Sequence, residues 1–178
     1  MNYPNAITFI RLIVAVVSFG LMIQDYWLVA AILILIAVLL DVADGRVARR
    51  LKQVTKQGVY LDVMADKIVI ISTFLIVGLK LHVAFFYLGI LMLIREYSID
   101  TMRSIAASQN VVISADKFSK IKGVLFMIAM LFMVWNEAVF HLGGIWQEVS
   151  IGVASLAMVL AYATLVRFFV KYKNILLS

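Results

Sequence analysis

Six uninterrupted apolar runs mark the chain, at residues 12–23, 26–40, 68–79, 83–94, 123–135 and 149–166. A membrane span needs about 20 apolar residues, so 178 residues allow about six helices with short connections and nothing more. The pattern predicts an all-α integral membrane protein of six transmembrane helices. No internal repeat, low-complexity tract or proline-rich linker interrupts it, and residues 1–178 are expected to form a single membrane domain.

The second to fifth runs are 15, 12, 12 and 13 residues by count, short of a full span. Polar sequence must complete each helix, and it does so on one side only: 41–50, 58–67, 95–103 and 116–122. Charged groups at membrane depth are tolerated where they face a bundle interior or a water-filled cavity. A polar cavity is therefore expected in one leaflet. Of the 16 Lys and Arg, all but Lys80 fall on that side, which the positive-inside bias assigns to the cytoplasm together with both termini.

Composition agrees with the pattern. The chain is 65% hydrophobic, with a mean hydropathy of +1.05, against roughly 45–50% for a soluble domain, so lipid must cover much of its surface. There is no cysteine and one proline, which excludes a disulfide framework and a thiolate metal site. The first segment lacks a basic n-region ahead of its apolar run and a small-residue cleavage site after it. It reads as a retained helix, not a signal peptide.

The chemistry concentrates in four aspartates. Asp41 and Asp44 lie three apart at the end of the second helix, and Asp62 and Asp66 four apart at the start of the third. Both spacings put carboxylates on one helical face. Because the link 51–57 is short, helices two and three are predicted to be antiparallel neighbours, with all four carboxylates at similar depth. Unpaired, these charges would repel; hard divalent cations such as Mg, Mn or Ca suit an all-oxygen site, and two of them would balance four carboxylates. Zinc does not fit, since His82 and His141 sit at the opposite face and read as interfacial residues. Gly45 adjoins Asp44, and Gly58 continues the Asp62, Asp66 row, so backbone is open to close approach there. Ala48 and Arg49 follow within one turn, and the Arg49 guanidinium suits phosphate oxygens.

These residues resemble a known family. Asp41, Asp44, Gly45, Ala48 and Arg49, then after eight residues Gly58, Asp62 and Asp66, occupy every fixed position of the signature of the CDP-alcohol phosphatidyltransferases. The signature spans 41–66, and the six-helix layout agrees over the whole chain. The resemblance implies a homodimer among membrane lipids that exchanges the CMP of CDP-diacylglycerol for an acceptor alcohol. It implies two divalent cations, Mg or Mn, held by Asp41, Asp44, Asp62 and Asp66, with Asp66 also the base that takes the acceptor's proton. Asn5, Thr8, Gly45, Ala48, Arg49 and Gly58 would bind the CDP-lipid.

Pro4, Asn5, Thr8 and Arg11, with Arg95, Glu96 and Arg103, are similar to the branch of the family whose acceptor is glycerol 3-phosphate. Physically, Arg95, Arg103, Lys120 and Lys122 would form a cationic pocket for a second phosphate. Inositol phosphate shares that requirement, and inositol or serine are further alternatives. That branch carries proline at position 63 and a glycine and threonine at 119 and 123, where this chain has Val63, Ser119 and Gly123. An inactive paralogue and a cation transporter using the same carboxylates are the readings from other classes.

The remaining polar residues read as scaffold. Arg46, Arg50, Lys52 and Lys56 serve topology and anionic headgroups, not nucleic acid. Glu96 and Asp100 orient the neighbouring cations. Trp27 and Trp146 are expected in the outer aromatic belt.

Overall fold

The structure, a computed structural model, describes residues 3–50, 56–109, 111, 117–140 and 144–176, with side chains for all of these except 3–6, 42–50, 56–57, 59–60, 117–120 and 174–176. Helix α1 (Tyr3–Ile23) turns into α2 (Trp27–Arg50) through backbone hydrogen bonds from Gln24, Asp25 and Tyr26 to the carbonyls of Gly20, Met22 and Leu21. Asp25 adopts the left-handed conformation (φ 65°) that closes this turn; short polar side chains enter that region more readily than most. There follow α3 (Lys56–Lys80), α4 (Val83–Ser108), α5 (Lys117–Trp135), a π-helical turn (Asn136–Phe140) and α6 (Gly144–Leu176). Among the described residues every regular element is helical.

Each predicted apolar run lies within one helix, to within a residue. The helices are longer than the runs because they continue into the polar sequence: α2 through the carboxylate-bearing end, α4 and α5 through their basic segments. Two stretches, 121–140 and 144–173, are long and apolar enough to cross a membrane; Ile7–Ile23 and Trp27–Asp41 are apolar but shorter.

Consecutive helices pair as hairpins, α1 with α2, α3 with α4 and α5 with α6, and packing of α1 on α3 and of α4 on α6 joins them. This corrects one expectation. Among the described residues α2 and α3 make no comparable contact with each other; each packs on α1, so the short 51–57 connection does not make them direct neighbours.

Small residues let the backbones approach. Ala15, Ala30, Ala31, Ala65, Ala154 and Ala157 are fully buried, as expected where helices pack without the hydrophobic effect as glue. Gly78 marks a close contact: a Cβ there would lie 2.1 Å from the backbone nitrogen of Phe86, so α3 and α4 touch main chain to main chain. Phe74 packs against Phe85 and Phe126, with ring centroids 5.9 and 6.0 Å away. Many large apolar side chains point outward, among them Ile13, Val16, Leu79, Val159 and Val170, the surface a lipid-embedded bundle presents.

At the end of the bundle away from the aspartates, Lys80 Nζ bonds Asp25 Oδ2 at 2.8 Å, tying the α1–α2 and α3–α4 turns together. His82 caps α4 by accepting the Ala84 amide on Nδ1 at 3.2 Å. Trp146 is exposed beside Phe132. Trp27, expected in the aromatic belt, instead turns inward and is buried in the core. His141 lies outside the described residues.

Candidate active site

Three helices deliver charge to one point. Asp41 comes from the polar half of α2, Asp62 and Asp66 from one face of α3, and Arg11 from α1, which packs on both. Arg11 is 1% exposed. Its guanidinium bonds Asp41 Oδ1, lies 3.1 Å from Asp62 Oδ1 and 3.3 Å from Asp66 Oδ1, and donates to the Asp62 carbonyl at 3.1 Å. A planar fork with five donors can meet several carboxylates at once, which an ammonium cannot do equally well.

One carboxylate oxygen from each of Asp41, Asp62 and Asp66 lies within 4.8 Å of the other two. Three carboxylates against one guanidinium leave two negative charges, which matches one divalent cation. Asp62 Oδ1 is buried and makes no hydrogen bond among the described residues, its contact with Arg11 being an ion pair only. A half-satisfied buried oxygen within an all-oxygen donor set fits a hard divalent metal.

Of the other residues singled out from the sequence, Thr8 is buried one turn before Arg11, and Gly58 is half-buried one turn before Asp62. Gly45 belongs to the last turns of α2. The side chains of Asn5, Asp44, Ala48, Arg49 and Lys120 lie outside the described part of the structure.

Two cavities flank the cluster. The first, about 380 Å³, opens between α2, α3 and α5; Arg11, Asp41 and Asp66 line it at one end and Val38, Val69 and Met127 continue it as an apolar channel. The second, about 200 Å³, lies between α3, α4 and α5 and is lined by Asp66, Lys67, Glu96 and Lys122 among apolar groups. Asp66, Ile70 and Gly123 belong to both walls. Gly123 has open space where a Cβ would be.

The basic residues divide in a way their sequence positions do not show. Lys122 is buried and its Nζ donates to Glu96 Oε1 at 2.7 Å. Lys67, which sequence reasoning passed over, donates to Asp100 and lies 3.5 Å from Glu96 Oε2. Arg95 bonds Glu96 as well, but the rest of its guanidinium turns to α6: Nε donates to the Ala161 carbonyl at 3.3 Å and Nη2 to Thr164 Oγ1 at 3.0 Å. It is 3% exposed and lines neither cavity. Arg103 is half-buried, and its buried Nε has no hydrogen-bond partner among the described residues. Glu96 thus holds cations from α3, α4 and α5, the neighbouring Arg95 among them as expected, while Asp100 holds Lys67 across the α3–α4 hairpin. Arg11 had a signal in the sequence, its place three residues after Thr8 in the N-terminal motif; Lys67 had only its adjacency to Asp66.

Known proteins are similar to this sequence over most of its length. The family model of the CDP-alcohol phosphatidyltransferases matches residues 1–171. A protein of Wigglesworthia glossinidia brevipalpis, named as a CDP-diacylglycerol–glycerol-3-phosphate 3-phosphatidyltransferase, is 30% identical over 182 residues, covering 95% of this chain and 93% of its own. Proteins with the same name from Bacillus subtilis (strain 168) and Salmonella choleraesuis (strain SC-B67) are each 30% identical, over 79% and 92% of this chain and 80% and 89% of theirs.

Proposed function

The chain belongs to the CDP-alcohol phosphatidyltransferase family, and we propose that it transfers the phosphatidyl group of CDP-diacylglycerol to a hydroxyl of glycerol 3-phosphate in phospholipid biosynthesis. The products are phosphatidylglycerophosphate and CMP. The names of its relatives supply the substrates. The observation that carries the chemistry is the position of Asp66, a carboxylate shared by an apolar cavity beside the acidic cluster and a cavity lined by two lysines.

In this reading the first cavity takes the donor lipid and the second the acceptor. The acceptor oxygen attacks the lipid-side phosphorus, a new P–O bond forms, the bond to the bridging oxygen of CMP breaks, and Asp66 takes the hydroxyl proton. Asp41, Asp44, Asp62 and Asp66 hold divalent cations, Mg or Mn, which when bound supply positive charge for the diphosphate and the leaving group. Arg11 adds a fixed guanidinium that orients Asp41, Asp62 and Asp66. Asn5, Thr8, Gly45, Ala48, Arg49 and Gly58 bind the nucleotide end of the donor. Lys120, Lys122 and Arg103 serve the acceptor phosphate, and Arg95 contributes by holding Glu96.

The same reading makes residues 1–178 one membrane domain of six crossings, in a bacterial cytoplasmic membrane, with both termini and the active site on the cytoplasmic side. The basic residues gathered at the aspartate end support that orientation. Acyl chains remain in lipid while CMP and glycerol 3-phosphate exchange through water, and the chain works as a homodimer.

The test is CMP release by the purified protein in mixed micelles with CDP-diacylglycerol and magnesium, comparing glycerol 3-phosphate, inositol 3-phosphate, inositol, serine and no acceptor, each with a chelator control. Metal-dependent release with glycerol 3-phosphate alone is expected. Release with a different acceptor overturns the acceptor assignment and keeps the reaction class; no release with any overturns both.

A further inference from the structure

We propose that Lys67 reads the acceptor's phosphate, acting with Lys122 as a two-lysine clamp that admits a phosphate monoester and gives a neutral alcohol no advantage. The assignment rests on the reading of the second cavity as the acceptor's. Lys67 and Lys122 line that cavity from two different helices, α3 and α5. Between them Glu96 accepts from Lys122 on Oε1 at 2.7 Å and pairs with Lys67 through Oε2 at 3.5 Å, and Asp100 accepts a hydrogen bond from Lys67. Arg95, the cation that the spacing along the chain favours for this task, is committed to the Ala161 carbonyl and Thr164 on α6. The cavity's cationic lining is therefore made by lysines.

Selectivity follows from the pairing. Each ammonium already has a carboxylate partner, so a neutral hydroxyl compound entering the cavity gains only a bond from a leftover donor and no ion pair. A phosphate dianion, with three acceptor oxygens, takes up the remaining donors of both ammoniums and adds its own charge to the carboxylates of Glu96 and Asp100 that already hold them. Adjacency completes the argument. Lys67 follows Asp66 on α3 and both line one cavity, so a phosphate held at Lys67 leaves a hydroxyl a few bonds away within reach of the Asp66 carboxylate.

The experiment is the acceptor dependence of CMP release for wild type, Lys67→Met and Lys67→Arg, in micelles with CDP-diacylglycerol and magnesium. In parallel, the thermal unfolding midpoint of each is measured with and without glycerol 3-phosphate. Lys67→Met is expected to raise the KM for glycerol 3-phosphate about ten- to a hundredfold, the effect of losing a hydrogen bond to a charged group, while kcat changes little. It also loses the rise in midpoint that glycerol 3-phosphate gives the wild type, and Lys67→Arg recovers most of both. Asp100→Asn, which frees Lys67 without touching the cavity wall, lowers the KM and remains informative if Lys67→Met does not fold. An unchanged KM in Lys67→Met, or in Asp100→Asn, overturns the assignment, as does a fall in kcat at constant KM. A wild type that releases no CMP with glycerol 3-phosphate sinks the reading of the cavity itself, and this assignment with it.

Discussion

Arg11 Nη2 stands 3.1 Å from both the main-chain carbonyl and the Oδ1 carboxylate oxygen of Asp62, a buried cation fastened to the backbone as well as the side chain of α3. The same guanidinium bonds Asp41 on α2. One side chain from α1 thus sets the separation of two helices that scarcely touch each other, and the spacing of the carboxylates with it.

Replacing Arg11 with Gln removes that fork and leaves three carboxylates facing one another. Because those carboxylates are a third to a half exposed, the loss is smaller than for a fully buried pair, about 1–3 kcal/mol. Thermal unfolding in detergent should show a lower midpoint, and excess magnesium should recover part of it by supplying the missing positive charge. A midpoint equal to wild type in chelator would contradict the role.

Asp66→Asn keeps size and shape but cannot accept a proton. CMP release should fall by about 10²–10⁴, the usual contribution of a positioned base, and no concentration of glycerol 3-phosphate should restore it. Wild-type turnover would remove Asp66 from the chemistry.

Arg95 and Arg103 should separate in their effects although both lie on α4. Arg95→Ala takes one donor from the Ala161 carbonyl, which keeps the Thr164 hydroxyl at 2.7 Å, removes the donor to Thr164 Oγ1 and leaves Glu96 with one cation fewer; it should cost about 1–3 kcal/mol of stability. Arg103→Ala should leave the unfolding midpoint near wild type and chiefly raise the KM for glycerol 3-phosphate. Steady-state kinetics beside unfolding curves would show a reversed pattern if the roles were exchanged.

Two glycines on the packed helices predict opposite outcomes. Gly78→Ala drives a methyl into the main chain of Phe86, and the midpoint should fall as α3 and α4 are forced apart. Gly123→Ala meets open space; it should fold at least as stably as wild type, since alanine favours a helix by up to about 1 kcal/mol over glycine. A large loss in the second variant would contradict the open space beside Gly123.

Much of this molecule is local information. Six apolar runs predicted six helices because hydropathy and helix formation depend on neighbouring residues, and all six are present. Asp62 and Asp66 were readable as partners because a four-residue spacing places side chains on one face of any helix. The basic bias of one end is a property of composition and needed no coordinates.

What tertiary structure alone decided is which helix stands beside which, and where a long side chain spends its donors. A short 51–57 link argues that α2 and α3 are neighbours, yet α1 serves as the common partner, and its Arg11 enters the acidic cluster from a distance of 30 residues to Asp41 and 51 to Asp62. Arg95 turns to α6 and Lys67 lines the second cavity for the same reason. Spacing along a helix gives the direction of a Cβ, whereas a guanidinium or ammonium several bonds further out goes to whichever carbonyl, hydroxyl or carboxylate the neighbouring helices present.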